Sequence, residues 1–134
     1  YAGVGIFAVL MSSLARQVLA IEESEAALKD ASVNTLGIEN LEFRHGKVEQ
    51  VLRSLEKRPD AVILDPPRAG CAREVLEAVI KWAPHRVVYV SCDPETLARD
   101  LAVMAEGGLR IDMVEPIDMF PQTHHVECVA TLST

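Results

Sequence analysis

A cysteine stands at the junction between an apolar stretch and the start of a predicted helix. Cys92 belongs to the motif SCDP, directly after the apolar run RVVYV. Proline suits the first turn of a helix, and the positive potential at a helix N-terminus favours the thiolate of a nearby cysteine. Free cysteines are more often buried and inert, and we interpret Cys71 and Cys128 in that way. The position of Cys92 instead favours a reactive nucleophile.

A carboxylate occupies a similar position after another apolar run. Asp65 opens the motif DPPR, which follows DAVIL. The two prolines fix φ and remove two N–H donors, so the chain leaves the predicted strand extended and rigid. Ligands of open α/β sheets bind beyond the carboxyl ends of the strands. Asp65 is therefore expected to face a ligand crevice with Arg68 as a nearby cation; a rigid loop with a capping aspartate is the alternative.

A second carboxylate lies in an unusually polar segment before the last apolar run. Glu127 belongs to THHVEC, which precedes VATL. Either it is a charge at the edge of a sheet, or the segment faces a substrate and His125 contacts that substrate. His124, His125 and Cys128 lack a recognisable chelating spacing, so we predict no metal site.

A glycine loop opens the chain and an acid follows it at the end of the next predicted strand. The G-x-G pattern of Gly3 and Gly5 allows backbone to approach a ligand closely. Glu22 can then accept hydrogen bonds from the two ribose hydroxyls of a nucleoside cofactor. A dinucleotide fingerprint has a third glycine where this chain has Ala8, a tolerated variant, so the motif alone does not exclude NAD.

The elements that position these residues alternate between strand and helix. A helix-compatible stretch to about residue 15 follows the glycine loop, and strand-like runs occur at 17–21, 41–44, 60–64 and 86–90. Further helices are predicted at 25–36, 48–57, 73–82 and 94–105, and two more strand-like runs within 109–132. This alternation predicts an α/β fold with a mainly parallel sheet and helices on both faces. Because a glycine loop of this kind normally follows a strand, we expect one domain, 1–134, without its first strand.

Composition restricts the classes of function. The 134 residues carry a formal charge of −7, which argues against a stand-alone RNA-binding module because phosphate contacts come mainly from Lys and Arg. The three cysteines show no C-x-x-C spacing, which favours a reducing cytoplasm. There is no apolar run of ~20 residues, so no membrane association is expected.

The motifs together resemble the TrmA/RumA-type family of RNA uracil-5-methyltransferases. The matching segments are YAGVGIF, the acid in VLAIEES, DPPRAG, VVYVSCDPETLARDL and MFPQTHHVECVATL, in the family's order and over nearly the whole chain. The resemblance implies a Rossmann-like class I methyltransferase fold that uses S-adenosyl-L-methionine. It also implies an upstream segment, an RNA-binding domain and, in some members, an iron–sulfur cluster, all outside this chain.

The resemblance also implies roles for individual residues. Cys92 corresponds to the nucleophile and Glu127 to the general base, while Tyr1, Glu22 and Asp65 correspond to the cofactor pocket. With the glycine loop, the predicted cofactor-binding set is Tyr1, Gly3, Gly5, Glu22 and Asp65. The predicted substrate-binding set is Asp65, Arg68 and His125.

The implied reaction explains why a thiol and an acid are both needed. Attack of Cys92 at uracil C6 makes C5 nucleophilic, and a carboxylate such as Glu127 must remove the C5 proton before the thiolate leaves. The expected partner is transfer or ribosomal RNA, bound through the longer protein, and the 134-residue chain alone is expected to be inactive. The alternatives are an amino-group methyltransferase for adenine or cytosine, where an aromatic residue normally replaces Arg68, and a non-catalytic nucleoside-binding or NAD-binding Rossmann module.

Overall fold

The computed structural model describes residues 1–134, which form five helices and six strands in two compact units. The first unit, Tyr1–Leu55, contains α1 (Ile6–Ser12), β1 (Val18–Glu22), α2 (Glu25–Asn34), β2 (Leu41–His45) and α3 (Val48–Leu52). The second unit, Glu56–Thr134, contains β3 (Ala61–Leu64), α4 (Arg73–Trp82), β4 (Arg86–Ser91), α5 (Pro94–Glu106), β5 (Arg110–Ile117) and β6 (Glu127–Ser133). The predicted alternation of strands and helices is confirmed, whereas a single domain over 1–134 stays a prediction.

In the first unit, a two-stranded parallel sheet carries the segments next to the glycine loop. Strands β1 and β2 pair in register from Val18 with Leu41 to Glu22 with His45. Helix α2 follows β1 directly, and the Ser24 side chain caps it by accepting a hydrogen bond from the Ala27 N–H at 3.3 Å. The sheet therefore places Glu22 at the carboxyl end of a parallel strand.

All three helices of the first unit are shorter than the sequence predicts, and α2 ends at Asn34 rather than at residue 36. Helix α3 ends at Leu52 rather than near residue 57, because the Ser54 hydroxyl donates to the Val51 carbonyl at 2.7 Å and closes a turn there. Helix α1 ends at Ser12 rather than near residue 15. The Ser12 hydroxyl donates to the Val9 carbonyl at 2.7 Å, a local bond that competes with continued helix.

The sheet of the second unit is mixed. Its strand order is β3-β4-β6-β5; β3 and β4 are parallel, while β6 runs antiparallel to both of its neighbours. The mainly parallel arrangement therefore applies to the β1–β2 and β3–β4 pairs. The last two strands are joined by residues 118–126 without a crossover helix, and such a connection produces an antiparallel pair.

The core of the second unit forms between its helices and one face of its sheet. On α5 the buried residues Leu97, Leu101 and Met104 follow the i, i+4, i+7 spacing of an amphipathic helix. Tyr89 and Leu132 of the sheet are also fully buried. This packing fixes α5 against β4 and thereby fixes the turn between them. None of the five helices combines the length and apolar character that crossing a bilayer requires.

Candidate active site

The predicted nucleophile and base lie at adjacent positions at one end of the second unit's sheet. The last ladder pair between β4 and β6 joins Ser91 to Cys128. Cys92 follows Ser91 along the chain, and Glu127 precedes Cys128 as the first residue of β6. Opposed residues of antiparallel strands have Cα atoms roughly 4.5–5.5 Å apart. The register therefore brings Cys92 and Glu127 together although they are distant in sequence.

A compact turn holds Cys92 between β4 and α5. The Ser91 hydroxyl donates to the Asp93 carbonyl at 2.9 Å and accepts from the Asp93 N–H at 3.1 Å. The Asp93 carboxylate accepts from the N–H groups of Glu95 and Thr96 at 3.1 and 3.0 Å and so caps α5. Cys92, between these two residues, is half-buried. The cap that starts α5 thus also shapes the turn that presents the cysteine.

Asp65 ends the neighbouring strand at the same end of the sheet. Strand β3 finishes at Leu64, which pairs with Tyr89 of β4, so Asp65 follows level with the last residues of β4. The Asp65 side chain is accessible to solvent, yet partial desolvation by surrounding protein atoms raises its pKa. The structure thus places Asp65 at the sheet end that carries Cys92 and Glu127.

Arg68 and His125, the other predicted substrate-binding residues, contact each other directly. The Arg68 Nη2 donates to His125 Nδ1 at 2.8 Å. A guanidinium has no lone pair to offer, so His125 Nδ1 must be the acceptor and the imidazole proton must lie on Nε2. The His125 ring centroid also lies 4.2 Å from that of His124, with the two rings tilted by 43°, and it meets Phe120 edge-on at 6.4 Å. Sequence reasoning found both residues and missed their pairing.

In the first unit, the glycine loop and Glu22 form a second arrangement. The Glu22 Oε2 accepts from the Ala2 and Gly3 N–H groups at 3.1 and 2.7 Å, and its Oε1 accepts from Glu23 and Ser24 at 3.0 and 2.9 Å. The loop is also joined to β1, because the Tyr1 amino group donates to the Ile21 carbonyl at 2.8 Å. The carboxylate is thereby fixed in position by the loop it faces.

The ionisation of Glu22 suits it to bind hydroxyl groups. Partial burial raises its pKa, but the backbone hydrogen bonds from Ser24, Gly3 and Glu23, together with the positive charge of the Tyr1 amino group, outweigh that effect, and the net pKa is lowered. Each carboxylate oxygen can accept more than one hydrogen bond. The backbone N–H groups already use both acceptor positions of each oxygen, so a pair of ribose hydroxyls would donate to Glu22 in place of two of them. With that exchange, these residues fit a nucleoside cofactor.

The glycine loop lies close against β2 at Gly5. Gly5 has φ +89°, and a Cβ added to it would lie 2.9 Å from Phe43 Cζ. A side chain at this position would therefore clash with the ring and strain the backbone. The close approach at Gly5 is thus one of protein to protein, and the approach of the G-x-G backbone to a ligand stays a prediction.

Three residues that sequence reasoning did not single out organise the loop after Asp65. They are Thr96, Arg99 and Asp100, all on α5. Their i, i+3, i+4 spacing, with an aspartate among the apolar positions of an amphipathic helix, was the available signal. No group of three or more His, Cys, Asp or Glu side chains in the structure is arranged to hold a metal ion.

Solved structures with the same arrangement define the fold class. The crystal structure of Pyrococcus abyssi tRNA (uracil-54, C5)-methyltransferase in complex with S-adenosyl-L-homocysteine matches 98% of this chain and 32% of its own, with a TM-score of 0.83 and 36% identity. Precorrin-6y C5,15-methyltransferase from Geobacter metallireducens matches in fold, with a TM-score of 0.78 and 18% identity over 99% of this chain and 77% of its own. The chain has the class I S-adenosylmethionine-dependent methyltransferase fold.

Sequence relatives narrow the class to one family. An uncharacterized RNA methyltransferase from Gloeobacter violaceus is 50% identical over 98% of this chain and 29% of its own length. An uncharacterized RNA methyltransferase from Thermotoga maritima is 46% identical over 98% of this chain and 30% of its own length. The sequence profile of the tRNA (uracil-5-)-methyltransferase family matches residues 52–134. The chain belongs to this family, and it spans about 30% of the length of the curated relatives it matches.

Proposed function

We propose that the protein containing this chain transfers a methyl group from S-adenosyl-L-methionine to C5 of a uridine in RNA. The observation that carries this proposal is the adjacency of Cys92 and Glu127 at the end of the β4–β6 ladder. A nucleophile and a base must act on neighbouring atoms of one uracil ring, C6 and C5. Membership of the uracil-5-methyltransferase family supports the same reaction.

The reaction begins with the Cys92 thiolate. Its Sγ forms a bond to uracil C6, and the C5=C6 electron pair moves towards the C4 carbonyl oxygen as an enolate. S-adenosyl-L-methionine, when bound, supplies an electrophilic methyl group. The enolate returns its electrons through C5, which forms a bond to that methyl group while the methyl–sulfur bond breaks and leaves its electron pair on the sulfur. Cys92 thus converts an unreactive ring carbon into a reactive one.

Glu127 completes the reaction. After methylation, C5 still carries its proton, and the covalent bond from C6 to Cys92 persists. The Glu127 carboxylate takes that proton, the electron pair re-forms the C5=C6 bond, and the Cys92 thiolate leaves. The base must therefore lie beside the nucleophile, which is the placement that the register gives to these two residues.

The remaining predicted site residues bind the two reactants. Asp65, at the same sheet end, contacts the uracil ring. The Arg68–His125 pair provides a polar, cationic edge for the RNA. In the first unit, the glycine loop and Glu22 hold the nucleoside part of the cofactor, and the ribose hydroxyls donate to the Glu22 carboxylate in place of backbone N–H groups.

The covalent step is tested with RNA that contains 5-fluorouridine. Fluorine cannot leave as a cation, so the adduct between Cys92 and C6 cannot resolve after methylation. We expect the full-length protein to form a denaturant-resistant complex with this RNA in the presence of cofactor, detected by gel shift and intact mass. Cys92→Ala should form no such complex.

Cys128→Ala is the matched control, because Cys128 is a buried cysteine next to the ladder end. It should form the complex as the wild-type protein does. Complex formation that persists in Cys92→Ala would overturn the covalent mechanism. Methylated adenine or cytosine as the product would indicate the amino-group alternative, and the absence of both product and adduct would indicate a non-catalytic nucleoside-binding module.

A further inference from the structure

Side chains of α5 hold the backbone of the loop that follows Asp65. The Thr96 hydroxyl donates to the Arg68 carbonyl at 2.9 Å. One helical turn further on, the Arg99 Nη2 donates to the Ala69 carbonyl at 2.9 Å. These bonds join consecutive loop carbonyls to one face of the helix, so the loop cannot move without breaking them.

The next residue of α5 completes the attachment from a buried position. Asp100 is 0% exposed, and its Oδ2 accepts from the Cys71 N–H at 2.8 Å and from the Tyr89 hydroxyl at 2.6 Å. Its Oδ1 accepts from Nε and Nη2 of Arg99 at 2.9 and 2.7 Å. A buried carboxylate is costly unless it is paired and fully hydrogen-bonded, as this one is. The carboxylate thus joins helix, strand and loop.

Gly70 shows how closely the loop lies against these side chains. A Cβ added to Gly70 would lie 2.5 Å from Arg99 Nη2 and 2.6 Å from Asp100 Oδ2. Gly70 also has φ +77°, a conformation that favours glycine. The loop backbone therefore lies against the Arg99–Asp100 pair from 69 to 71.

The two ends of this assembly are both predicted site residues. At one end, the segment begins with Arg68, whose guanidinium donates to His125. At the other end, α5 begins immediately after the turn that carries Cys92. A single helix therefore connects the position of Cys92 to the position of Arg68, through Thr96 at Arg68 itself and through Arg99 and Asp100 at the residues that follow it.

We propose that Arg99 and Asp100 are positioning residues that hold Arg68 against His125 and fix this pair relative to Cys92, so that the uridine is oriented for attack. This inference rests on the proposed function for its consequence in catalysis. Its structural part, the dependence of the Arg68–His125 contact on Arg99, can be measured without any reaction.

The first measurement follows the His125 imidazole in the full-length protein by NMR with ¹⁵N-labelled histidine. Arg99→Lys keeps a positive charge beside Asp100 but loses the planar fork that reaches both Asp100 and Ala69. We expect it to shift the His125 Nδ1 signal towards the position seen in Arg68→Gln. Arg86→Lys is the matched control, because Arg86 also pairs with an aspartate, at 3.1 Å, but at the far end of β4. It should leave the His125 signal unchanged.

The second measurement is a double-mutant cycle on RNA methylation. Arg99→Lys should lower kcat/KM on the order of tenfold, as loss of a charge-assisted hydrogen bond does. In the Arg68→Gln background the same substitution should have no further effect on kcat/KM, while its effect on Tm is the same in both backgrounds. A purely structural role would instead give equal losses of activity in both backgrounds.

These two measurements distinguish a failure of the positioning role from a failure of the proposed methylation reaction. An unchanged His125 signal in Arg99→Lys, or equal losses of activity in both backgrounds, would overturn the positioning role. A shifted His125 signal in a protein that makes no 5-methyluridine would support the positioning of Arg68 and overturn the proposed reaction. Arg99 is the residue of choice for substitution because its side chain is 54% exposed, so its replacement leaves the core intact.

Discussion

Glu127 and Cys92 have different tasks in the proposed reaction. Substitution of Cys92 should prevent the covalent adduct with uracil C6, whereas substitution of Glu127 should trap it. In Glu127→Gln, the Cys92 adduct can form and take the methyl group, but the C5 proton has no carboxylate to accept it. We expect the full-length variant to accumulate a covalent complex with ordinary uridine-containing RNA, measured by denaturing gel and mass spectrometry. Turnover to 5-methyluridine should fall by about 10²–10⁴-fold, the range of general-base contributions.

Glu115→Gln provides the control for this experiment. Glu115 lies on the neighbouring strand β5, where it pairs with Val129 of β6 and is exposed. It should turn over at the wild-type rate without accumulating the complex. Normal turnover by Glu127→Gln would show that another group removes the proton.

The lowered pKa of Glu22 makes the folding stability of this chain depend on pH. Its pKa in the folded chain is lowered from the ordinary value of 4.5, because backbone hydrogen bonds and the positive Tyr1 amino group together outweigh partial burial. A depressed folded-state pKa stabilises the fold fully above the unfolded-state pKa, and this contribution is lost as the pH falls through the folded-state value. Glu22→Gln should therefore destabilise by about 1 kcal/mol near neutral pH, and the difference from wild type should shrink below pH 4.5.

Urea unfolding of wild type and variant at a series of pH values measures this difference. Glu39→Gln is the control, since Glu39 is exposed in the same unit and makes none of these backbone contacts. A difference between wild type and Glu22→Gln that stays constant from neutral to acidic pH would contradict the assignment.

At the scale of elements, the glycine loop depends on its packing against β2. Gly5→Ala should destabilise through two effects: an alanine at φ +89° costs about 1–2 kcal/mol, and its Cβ would lie 2.9 Å from the Phe43 ring. Gly3→Ala isolates the first effect, because Gly3 has φ +54° and no atom within 4 Å of an added Cβ.

Thermal unfolding should therefore rank Gly5→Ala below Gly3→Ala. Adding Phe43→Leu to Gly5→Ala should restore part of the loss, because the smaller side chain leaves room for the methyl group. Equal melting temperatures for the two alanine variants would show that the ring moves aside at no cost.

At the scale of the whole molecule, the acidic charge of this chain bears on whether it could bind RNA by itself. A charge of −7 leaves few cations to neutralise phosphates, which supply most non-specific affinity for RNA. The curated relatives are about three times as long as this chain, which covers 29–30% of them. We expect the full-length protein to form 5-methyluridine in RNA and the 134-residue chain alone to form none, measured by nucleoside mass spectrometry. Product formed by the isolated chain would contradict this expectation.

Much of the fold follows from local patterns in the sequence. Helix α4 matches its predicted bounds, Arg73–Trp82, because its apolar positions repeat at helical spacing and nothing within it competes. Helix α3 falls short of its predicted end because a serine hydroxyl binds a carbonyl that a longer helix would use. Such side-chain competition is hard to predict, since the same serine in another rotamer faces solvent.

The sequence by itself determined the order of the strands and helices, the family, and the candidates Cys92, Asp65 and Glu127, because each follows from local periodicity or from a contiguous motif. Only the tertiary structure decided that β6 inserts antiparallel between β4 and β5, which sets Glu127 beside Cys92. It alone also decided that Arg99 and Asp100 hold the loop of Arg68. Both arrangements join residues that are distant along the chain, and pairings of that kind depend on how the elements pack rather than on any local pattern.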